Sequence, residues 1–118
     1  MSKPLQEPTF LILTALLERP QHGYSLLTEV ERLSSGRVSL RVGTLYAALD
    51  RLTGEGLVAV ESEEIVNGRL RRTYSLTGAG AETVAAEATR MAELAQAARR
   101  GMRRRARGIA DATAGSAR

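Results

Sequence analysis

An Asn67-Gly68 pair joins two β-rich runs, Leu57 to Val66 and Arg69 to Leu76. Asn-Gly is favoured in two-residue hairpin loops because both turn positions need a positive φ. The sequence therefore predicts a β-hairpin over these residues. A two-residue loop also fixes the register, which predicts four cross-strand pairs: Val66 with Arg69, Glu64 with Arg71, Glu63 with Arg72 and Glu61 with Tyr74.

Three helices are predicted ahead of the hairpin. The first, Thr9 to Arg19 with Pro8 at its start, is apolar on nearly every side and stops before Pro20. We expect it to be the hub of the core and also to contact a dimer partner. The second helix begins at His22-Gly23-Tyr24 and ends at Ser34-Ser35-Gly36. Its inward stripe is predicted to contain Tyr24, Leu27, Val30 and Leu33.

A third helix is predicted from the spacing of Leu45, Leu49 and Leu52, which form one apolar stripe. Gly56 follows, and glycine can take the left-handed conformation that ends a helix. The side chains on the outer face of this helix are small or polar. The segment before the helix, Arg37 to Arg41, is predicted to be a short strand or an extended link. A slim helix of this kind fits the major groove of DNA, although an ordinary amphipathic helix has the same pattern. Three helices and then a hairpin is the order of a winged helix-turn-helix, with the hairpin as the wing.

After the hairpin, Thr77 is predicted to cap a long last helix over about residues 79–104. Apolar residues and alanines recur there at steps of four and three, as in a coiled-coil seam, at Val84, Ala88, Met91, Ala95, Ala98 and Met102. The predicted fold class is mainly α with a small β-hairpin. The predicted organisation is a loose arm at residues 1–7, a winged-helix DNA-binding domain at 8–76, a dimerisation helix at 77–107 and a disordered tail at 108–118.

The basic character of the chain is concentrated at its C-terminal end. The net charge is +4, yet residues 1–98 contain 10 Lys or Arg against 12 Asp or Glu, whereas residues 99–118 contain 7 Arg and one Asp. The high isoelectric point therefore does not by itself predict a nucleic-acid-binding surface. The tail arginines form a solvated face or add nonspecific attraction for DNA.

Several classes of protein are disfavoured by the composition. The chain has no cysteine and one histidine, His22, so disulfides and thiolate zinc sites are excluded and no metal or cofactor is expected. No nucleophile–base pair or glycine-rich phosphate loop is present, so the chain is predicted not to be an enzyme. The first residues lack the build of a secretion signal and the longest apolar run is too short to span a membrane, which predicts a cytoplasmic protein.

The motifs, taken together, resemble the PadR family of bacterial transcriptional regulators, in particular its short branch. The matching residues are Pro20-Gln-His22-Gly23-Tyr24, Gly43-Thr44-Leu45-Tyr46, Ala48-Leu49, Arg51-Leu52, Glu55-Gly56-Leu57, Gly68-Arg69, Arg71-Arg72, Tyr74, Leu76-Thr77 and Gly80. They cover about residues 8–80. The sequence departs from the family pattern at two prolines, which are replaced by Ala47 in the third helix and by Leu70 at the wing tip.

The resemblance implies a homodimer whose long C-terminal helices pack together and present two recognition helices to a roughly palindromic operator in double-stranded DNA. It also implies a repressor that is released by a small-molecule effector. With four aromatic residues and no tryptophan, any effector pocket would be lined by Leu, Ala and Met.

The candidate DNA contacts lie at the second and third helices and the wing: Tyr24, Arg41, Thr44, Tyr46, Ala47, Arg51, Arg69, Arg71 and Arg72. The candidate dimer contacts lie on the first and last helices: Phe10, Leu13, Leu17, Val84, Ala88, Met91, Ala95, Ala98 and Met102. Arg69 has no acidic residue opposite it in the predicted register, whereas the other two wing arginines do.

Other interpretations stay open for some of these residues. Tyr46 is either a phosphate contact or a half-buried core residue, and Arg51 either reaches DNA or pairs with Asp50 or Glu55. His22 is interpreted as a capping or packing residue. For the whole chain, the chief alternative function is a winged-helix protein-interaction adaptor, and a second is an RNA-binding winged helix.

Overall fold

The computed structural model describes residues 4–116, with Ser116 described by its backbone alone. The elements in chain order are α1 (Glu7–Ala15), β1 (Gln21–His22), α2 (Gly23–Leu33), α3 (Val42–Gly54), β2 (Val58–Val66), β3 (Arg69–Leu76) and α4 (Gly78–Ser116). The strands form an antiparallel sheet in the order β1-β3-β2. The predicted fold class, a mainly helical winged helix-turn-helix with a long C-terminal helix, is confirmed.

Helix α1 is the hub of the core, as its all-round apolar sequence predicts. Ile12 and Leu13 are fully buried, and Leu11 and Ala15 lie in the same cluster. The helix ends at Ala15 and not at Arg19, where the sequence placed its end. The Nε2 of Gln21 donates to the carbonyl of Ala15 at 2.6 Å, so this oxygen has a partner other than a continuing helix.

Helix α2 has an inward stripe that differs from the predicted one. Leu26 and Val30 are fully buried and Gly23 is buried, whereas Tyr24 is 61% exposed and Leu33 is exposed. The inclusion of Tyr24 in the core was therefore wrong. Gly23, the first residue of the helix, packs against Tyr46 and is buried. The side chain of the next residue, Tyr24, therefore points toward solvent.

The sheet contains a strand that the sequence did not predict. Gln21 and His22 form β1, which pairs with Tyr74 and Thr73 of β3. Two residues are too few to show the alternation of a strand. Residues 37–41, the other candidate strand, form the extended link.

The wing has the predicted turn and three of the four predicted pairs. Asn67 and Gly68 have φ values of 51° and 75°, and the pairs of Arg69, Arg71 and Arg72 with Val66, Glu64 and Glu63 are observed. The fourth pair is wrong, because Tyr74 lies opposite Val60. A bulge between Val60 and Ser62 adds one residue, Glu61, to β2, and counting from the turn assumes an unbroken ladder.

The end of α3 and the start of α4 are joined by a hydrogen bond from the side chain of Thr77. Gly56 has a φ of 76°, and the amide of Leu57 donates to the carbonyl of Leu52 at 3.0 Å, which closes α3. Thr77 caps α4 as predicted, because its Oγ1 accepts from the amide of Gly80 at 3.0 Å. The same hydroxyl donates to the carbonyl of Gly56 at 2.7 Å.

The described part of the chain divides into two compact units, with the boundary between Glu87 and Ala88 inside α4. The sequence placed the boundary between residues 76 and 77. The difference arises because the first turns of α4 belong to the winged-helix unit, where Val84 is buried in the core and Glu87 is buried. The carboxylate of Glu87 accepts the amide of Leu5, so the described part of the N-terminal arm, residues 4–6, is not loose. Residues 1–3 of that arm lie outside the described residues.

The second unit is helical as far as Ser116, although the sequence predicted a disordered tail from residue 108. Alanine and arginine are strong helix formers, and no proline interrupts them after residue 100. The last two residues of the predicted tail, 117 and 118, lie outside the described residues. Over residues 4–116, no helix is both long and apolar enough to cross a membrane.

Candidate nucleic-acid interface

A groove of about 630 Å³ lies between the start of α2, helix α3 and the tip of the wing. Its lining residues come from three separate parts of the chain: His22, Gly23, Tyr24, Tyr46, Val66, Asn67, Arg69, Leu70 and Arg71. Four of these were predicted DNA contacts (Tyr24, Tyr46, Arg69 and Arg71). The fold therefore places a cationic wing tip beside two tyrosines in one concave surface.

Tyr46 is fixed in this groove by a close contact with Gly23. A Cβ atom at Gly23 would lie 2.3 Å from the Tyr46 hydroxyl oxygen and 2.7 Å from Cζ, so the ring packs directly against the glycine backbone. The side chain is half-buried, as one of the two interpretations of the sequence expected, and the phosphate contact stays a prediction. The ring packs against α2, and the residue lines the groove.

The first turn of α2 supplies a second aromatic residue and a histidine. Tyr24 is exposed, whereas His22 is half-buried and its Nε2 lies 3.2 Å from the hydroxyl of Ser25. The Nδ1 of His22 is buried without a hydrogen-bond partner among the described residues. The interpretation of His22 as a packing residue agrees with this position, but its place in the groove lining was missed.

The three wing arginines differ in how strongly they are held. Arg72 makes a 3.0 Å ion pair with Glu63, and Arg71 lies 3.8 Å from Glu64. Arg69 is exposed, and no acidic residue lies opposite it in the described sheet. Arg69 is therefore the wing cation most available to a ligand.

Arg72 is also linked to the buried Tyr74. Hydrogen bonds to Glu63 and Tyr74 raise the pKa of the Arg72 guanidinium above its ordinary value. Burial raises the pKa of the Tyr74 hydroxyl, since desolvation disfavours the phenolate, although the bond to Arg72 opposes the shift. Arg72 thus supports the base of the wing and does not line the groove.

Helix α3 presents a small outer face beside the groove. Thr44 and Ala47 are exposed, as is Arg41 directly before the helix, while Leu45 and Leu49 are fully buried on the opposite side. The apolar stripe was predicted correctly from its spacing. Ala47, one of the two departures from the family pattern, lies in the second turn of α3, which begins at Val42.

Arg51 is not brought to the groove with the other candidates. One of its guanidinium nitrogens donates to Thr9 Oγ1 at 3.1 Å, and another lies 3.3 Å from Glu55. These contacts tie the end of α3 to α1. The alternative in which Arg51 pairs with Glu55 therefore describes its position.

The candidate dimer contacts fall into two groups. Leu13 and Val84 are buried in the core of the winged-helix unit, so they are unavailable to a partner. Leu17 is exposed and Phe10 is half-buried. The seam residues of the second unit are all exposed: Ala88, Met91, Ala95, Ala98 and Met102.

The part of the chain that the structure describes contains no group of three or more His, Cys, Asp or Glu side chains that could hold a metal ion. The cationic groove is instead suited to phosphate oxygens, which arginine and tyrosine bind through charge-assisted hydrogen bonds.

A comparison with protein families matches residues 12–86 to the transcriptional regulator PadR-like family. The match runs from α1 through the wing into the first turns of α4. The chain belongs to the PadR-like family. Members of this family are transcriptional regulators and not enzymes, so both the resemblance and the prediction of a non-enzyme are confirmed.

Two individual proteins are similar to the chain in sequence. The transcriptional regulator Rv3488 of Mycobacterium tuberculosis is 40% identical over 75 residues, which are 64% of this chain and 66% of that protein. An uncharacterized 37.1 kDa protein in transposon TN4556 of Streptomyces fradiae is 42% identical over 84 residues, 71% of this chain. The chain spans only 23% of that second relative.

The same fold occurs in the crystal structure of Bacillus subtilis PadR in complex with operator DNA. The TM-score is 0.59 at 21% identity, and the alignment covers 67% of this chain and 46% of that one. At this identity the likeness concerns the fold.

Proposed function

We propose that the chain is a DNA-binding transcriptional regulator that represses by binding a roughly palindromic operator as a homodimer. The observation that carries the proposal is the groove in which Tyr24, Tyr46 and Arg69 converge from α2, α3 and the wing. Family membership and the operator-bound structure of a protein with the same fold support it. Because the operator is double-stranded DNA, the proposed site of action is the cytoplasm.

In this proposal α3 enters the major groove and the wing contacts the sugar-phosphate backbone. Thr44 and Ala47 are the exposed residues that reach base edges, where Ala47 offers a methyl group to a thymine methyl. Tyr46 directs its hydroxyl to a phosphate. Base readout is then sparse, so half-site spacing near one helical turn and DNA shape supply much of the specificity.

The first test concerns Arg69, the wing arginine without an acidic partner opposite it. Two DNA duplexes are compared: one enriched from a random library by binding to this protein (the selected duplex), and one with the same bases in scrambled order (the scrambled duplex). Arg69→Ala should weaken binding to both duplexes by the same factor, because a phosphate contact carries no sequence information. The slope of log affinity against log salt should become shallower by about one unit. Fluorescence-anisotropy titrations of both duplexes over a range of salt concentrations measure these effects.

Glu64→Ala is the matched variant on the facing strand. It removes the carboxylate 3.8 Å from Arg71, so binding should be unchanged or tighter. Exposed ion pairs of this kind contribute about 0–1 kcal/mol, and phosphates compete with them readily. Weaker binding by a folded Glu64→Ala variant would contradict the electrostatic description of the wing.

The proposed homodimer forms through the exposed seam of α4 with help from Phe10 and Leu17. Met91 is 44% exposed and Met102 is 62% exposed, so one protomer leaves this stripe uncovered. Met91→Glu combined with Met102→Glu should convert the dimer into monomers in sedimentation equilibrium, because four carboxylates would enter one interface.

Thr89→Glu combined with Ala97→Glu is the control, since it adds the same charge at exposed positions of the helix outside the stripe. This variant should remain dimeric. Loss of the dimer in the control alone, or a dimer that survives the methionine substitutions, would remove the seam from the proposal.

Release by a small-molecule effector remains a prediction.

The two rival functions differ from the proposed one in the ligand that the chain binds. A protein-interaction adaptor would show no steep salt dependence of its affinity for duplex DNA, and an RNA-binding protein would prefer RNA to DNA in a competition assay. Selection of duplexes from a random library, followed by titration of the enriched sequence, tests the proposed function as a whole.

A further inference from the structure

The most cationic part of the molecule lies outside the winged-helix unit. Residues 94–110 contain six arginines and no acidic residue. All six are exposed on α4: Arg99, Arg100, Arg103, Arg104, Arg105 and Arg107. Among the described residues, none of them takes part in an ion pair, in contrast to Arg71 and Arg72 of the wing.

Five of these arginines share one side of the helix. At about 100° per residue, the five fall within an arc of about 140°, and the arc is centred on Arg103 and Arg107. We call Arg99, Arg100, Arg103, Arg104 and Arg107 the arginine face. Arg105 points away from it, toward the edge of the apolar stripe that contains Met102.

The five guanidinium groups of the arginine face repel one another when no counterion lies between them. Like charges at spacings of three and four residues repel one another along a helix, and here no acidic residue is interposed. A polyanion removes this repulsion, and the guanidinium group matches phosphate oxygens bidentately. The arginine face is about 12 Å long, over which duplex DNA carries about seven phosphate charges.

The chemistry of the neighbouring apolar stripe disfavours an anionic membrane as the ligand of the arginine face. Interfacial helices place large apolar or aromatic residues in the lipid, whereas residues 88–116 contain no aromatic residue and their stripe is mostly alanine. In the proposed homodimer this stripe is covered by the partner. The arginine face lies outside this stripe, so it stays exposed to a ligand.

We propose that the arginine face is a second DNA-binding surface, which holds phosphates of the duplex independently of base sequence. The inference rests on the proposed function, since it assumes that duplex DNA is the ligand. In this proposal α4 supplies a large share of the affinity for DNA and little of the preference for one base sequence over another.

The test replaces all five arginines of the arginine face with glutamine, which keeps the helix propensity. The full-length variant is titrated with the selected duplex and with its scrambled counterpart. We expect affinity for both to fall by at least about tenfold at moderate salt, and the log–log salt slope to become shallower by about one unit per arginine lost. The ratio of the two affinities should stay unchanged.

A matched pair of single substitutions distinguishes a docking surface from diffuse attraction. Arg103→Gln and Arg105→Gln remove one charge each within the same turn, inside and outside the arginine face. Arg103→Gln should lower the salt slope by about one unit and Arg105→Gln by clearly less. Equal effects of the two, or an unchanged slope in the fivefold variant, would overturn the inference.

The failure of this inference differs from the failure of the proposed function. If the wild-type chain shows no preference between the selected and scrambled duplexes, the proposed function fails. If it prefers the selected duplex and the fivefold variant binds both as tightly as the wild type, only the inference fails. Loss of binding to phosphatidylserine vesicles in the fivefold variant, with DNA binding intact, would assign the arginine face to a membrane and overturn the inference.

Discussion

Gly80→Ala should destabilise the winged-helix unit by about 3 kcal/mol, near the upper end of the usual cost of overpacking a well-packed site. A Cβ atom at this position would lie 2.2 Å from the carbonyl oxygen of Leu57 and 2.6 Å from Cδ1 of Leu76. The oxygen cannot move away freely, because it accepts the amide of Thr77 at 3.1 Å. The first turn of α4 would have to separate from the end of α3. Urea denaturation, monitored by circular dichroism, measures the change in the free energy of unfolding.

Gly78→Ala is the control for this prediction. It lies two residues earlier in the same turn, and a Cβ atom there meets nothing within 4 Å. Alanine has the higher helix propensity, so this variant should be as stable as the wild type or more stable. Equal unfolding free energies for the two variants would mean that α4 does not pack against Leu57 as closely as described.

Gly23→Ala should weaken DNA binding by about tenfold to a hundredfold while it changes stability little. The added methyl group would overlap the hydroxyl and Cζ of Tyr46, at 2.3 and 2.7 Å. The end of an aromatic side chain can move aside, so the strain is relieved by displacing the ring from its place in the groove. A hydrogen bond from the Tyr46 hydroxyl to a phosphate would then be lost, and bonds to charged groups contribute about 1.5–3 kcal/mol.

A double-mutant cycle assigns this effect to the tyrosine. In a Tyr46→Ala background the methyl group at position 23 has no ring to displace, so Gly23→Ala should have almost no further effect on affinity. If the two substitutions are instead additive, Gly23 acts on DNA binding by another route. Thermal unfolding of each variant provides the control for a general loss of structure.

The sequence predicted those parts of the fold that are set by local chemistry. The Asn67-Gly68 turn, the leucine stripe of α3 and the capping by Thr77 depend on a few adjacent residues, and all three are observed. The bulge at Glu61 and the two-residue strand β1 depend on contacts with a distant part of the chain. Such contacts have no local signature, so they were missed.

The candidate site was predicted only in part, because contacts between distant parts of the chain have no local signature in the sequence. Tyr24, Tyr46 and Arg69 were chosen from separate motifs, and the fold brings them into one groove. Arg51 is a cation like Arg69, but its partner Thr9 is 42 residues away in sequence, which no pattern on α3 could indicate. Likewise, the close contact of Gly23 with Tyr46 explains why a glycine is needed at the start of α2, and only the structure reveals it.

The most direct test of the central claim, that α3 reads DNA sequence from beside the groove, is a competition titration at fixed salt. Wild type, Thr44→Ala and Arg51→Ala are each titrated with the selected duplex against the scrambled duplex. Thr44→Ala should narrow the difference in binding free energy between the duplexes by about 1–3 kcal/mol, as expected when a base contact is lost. Arg51→Ala should keep the wild-type preference, because its side chain is engaged with Thr9 and Glu55. A wild-type chain that does not distinguish the duplexes, or a Thr44→Ala variant that keeps the full preference, would contradict the account.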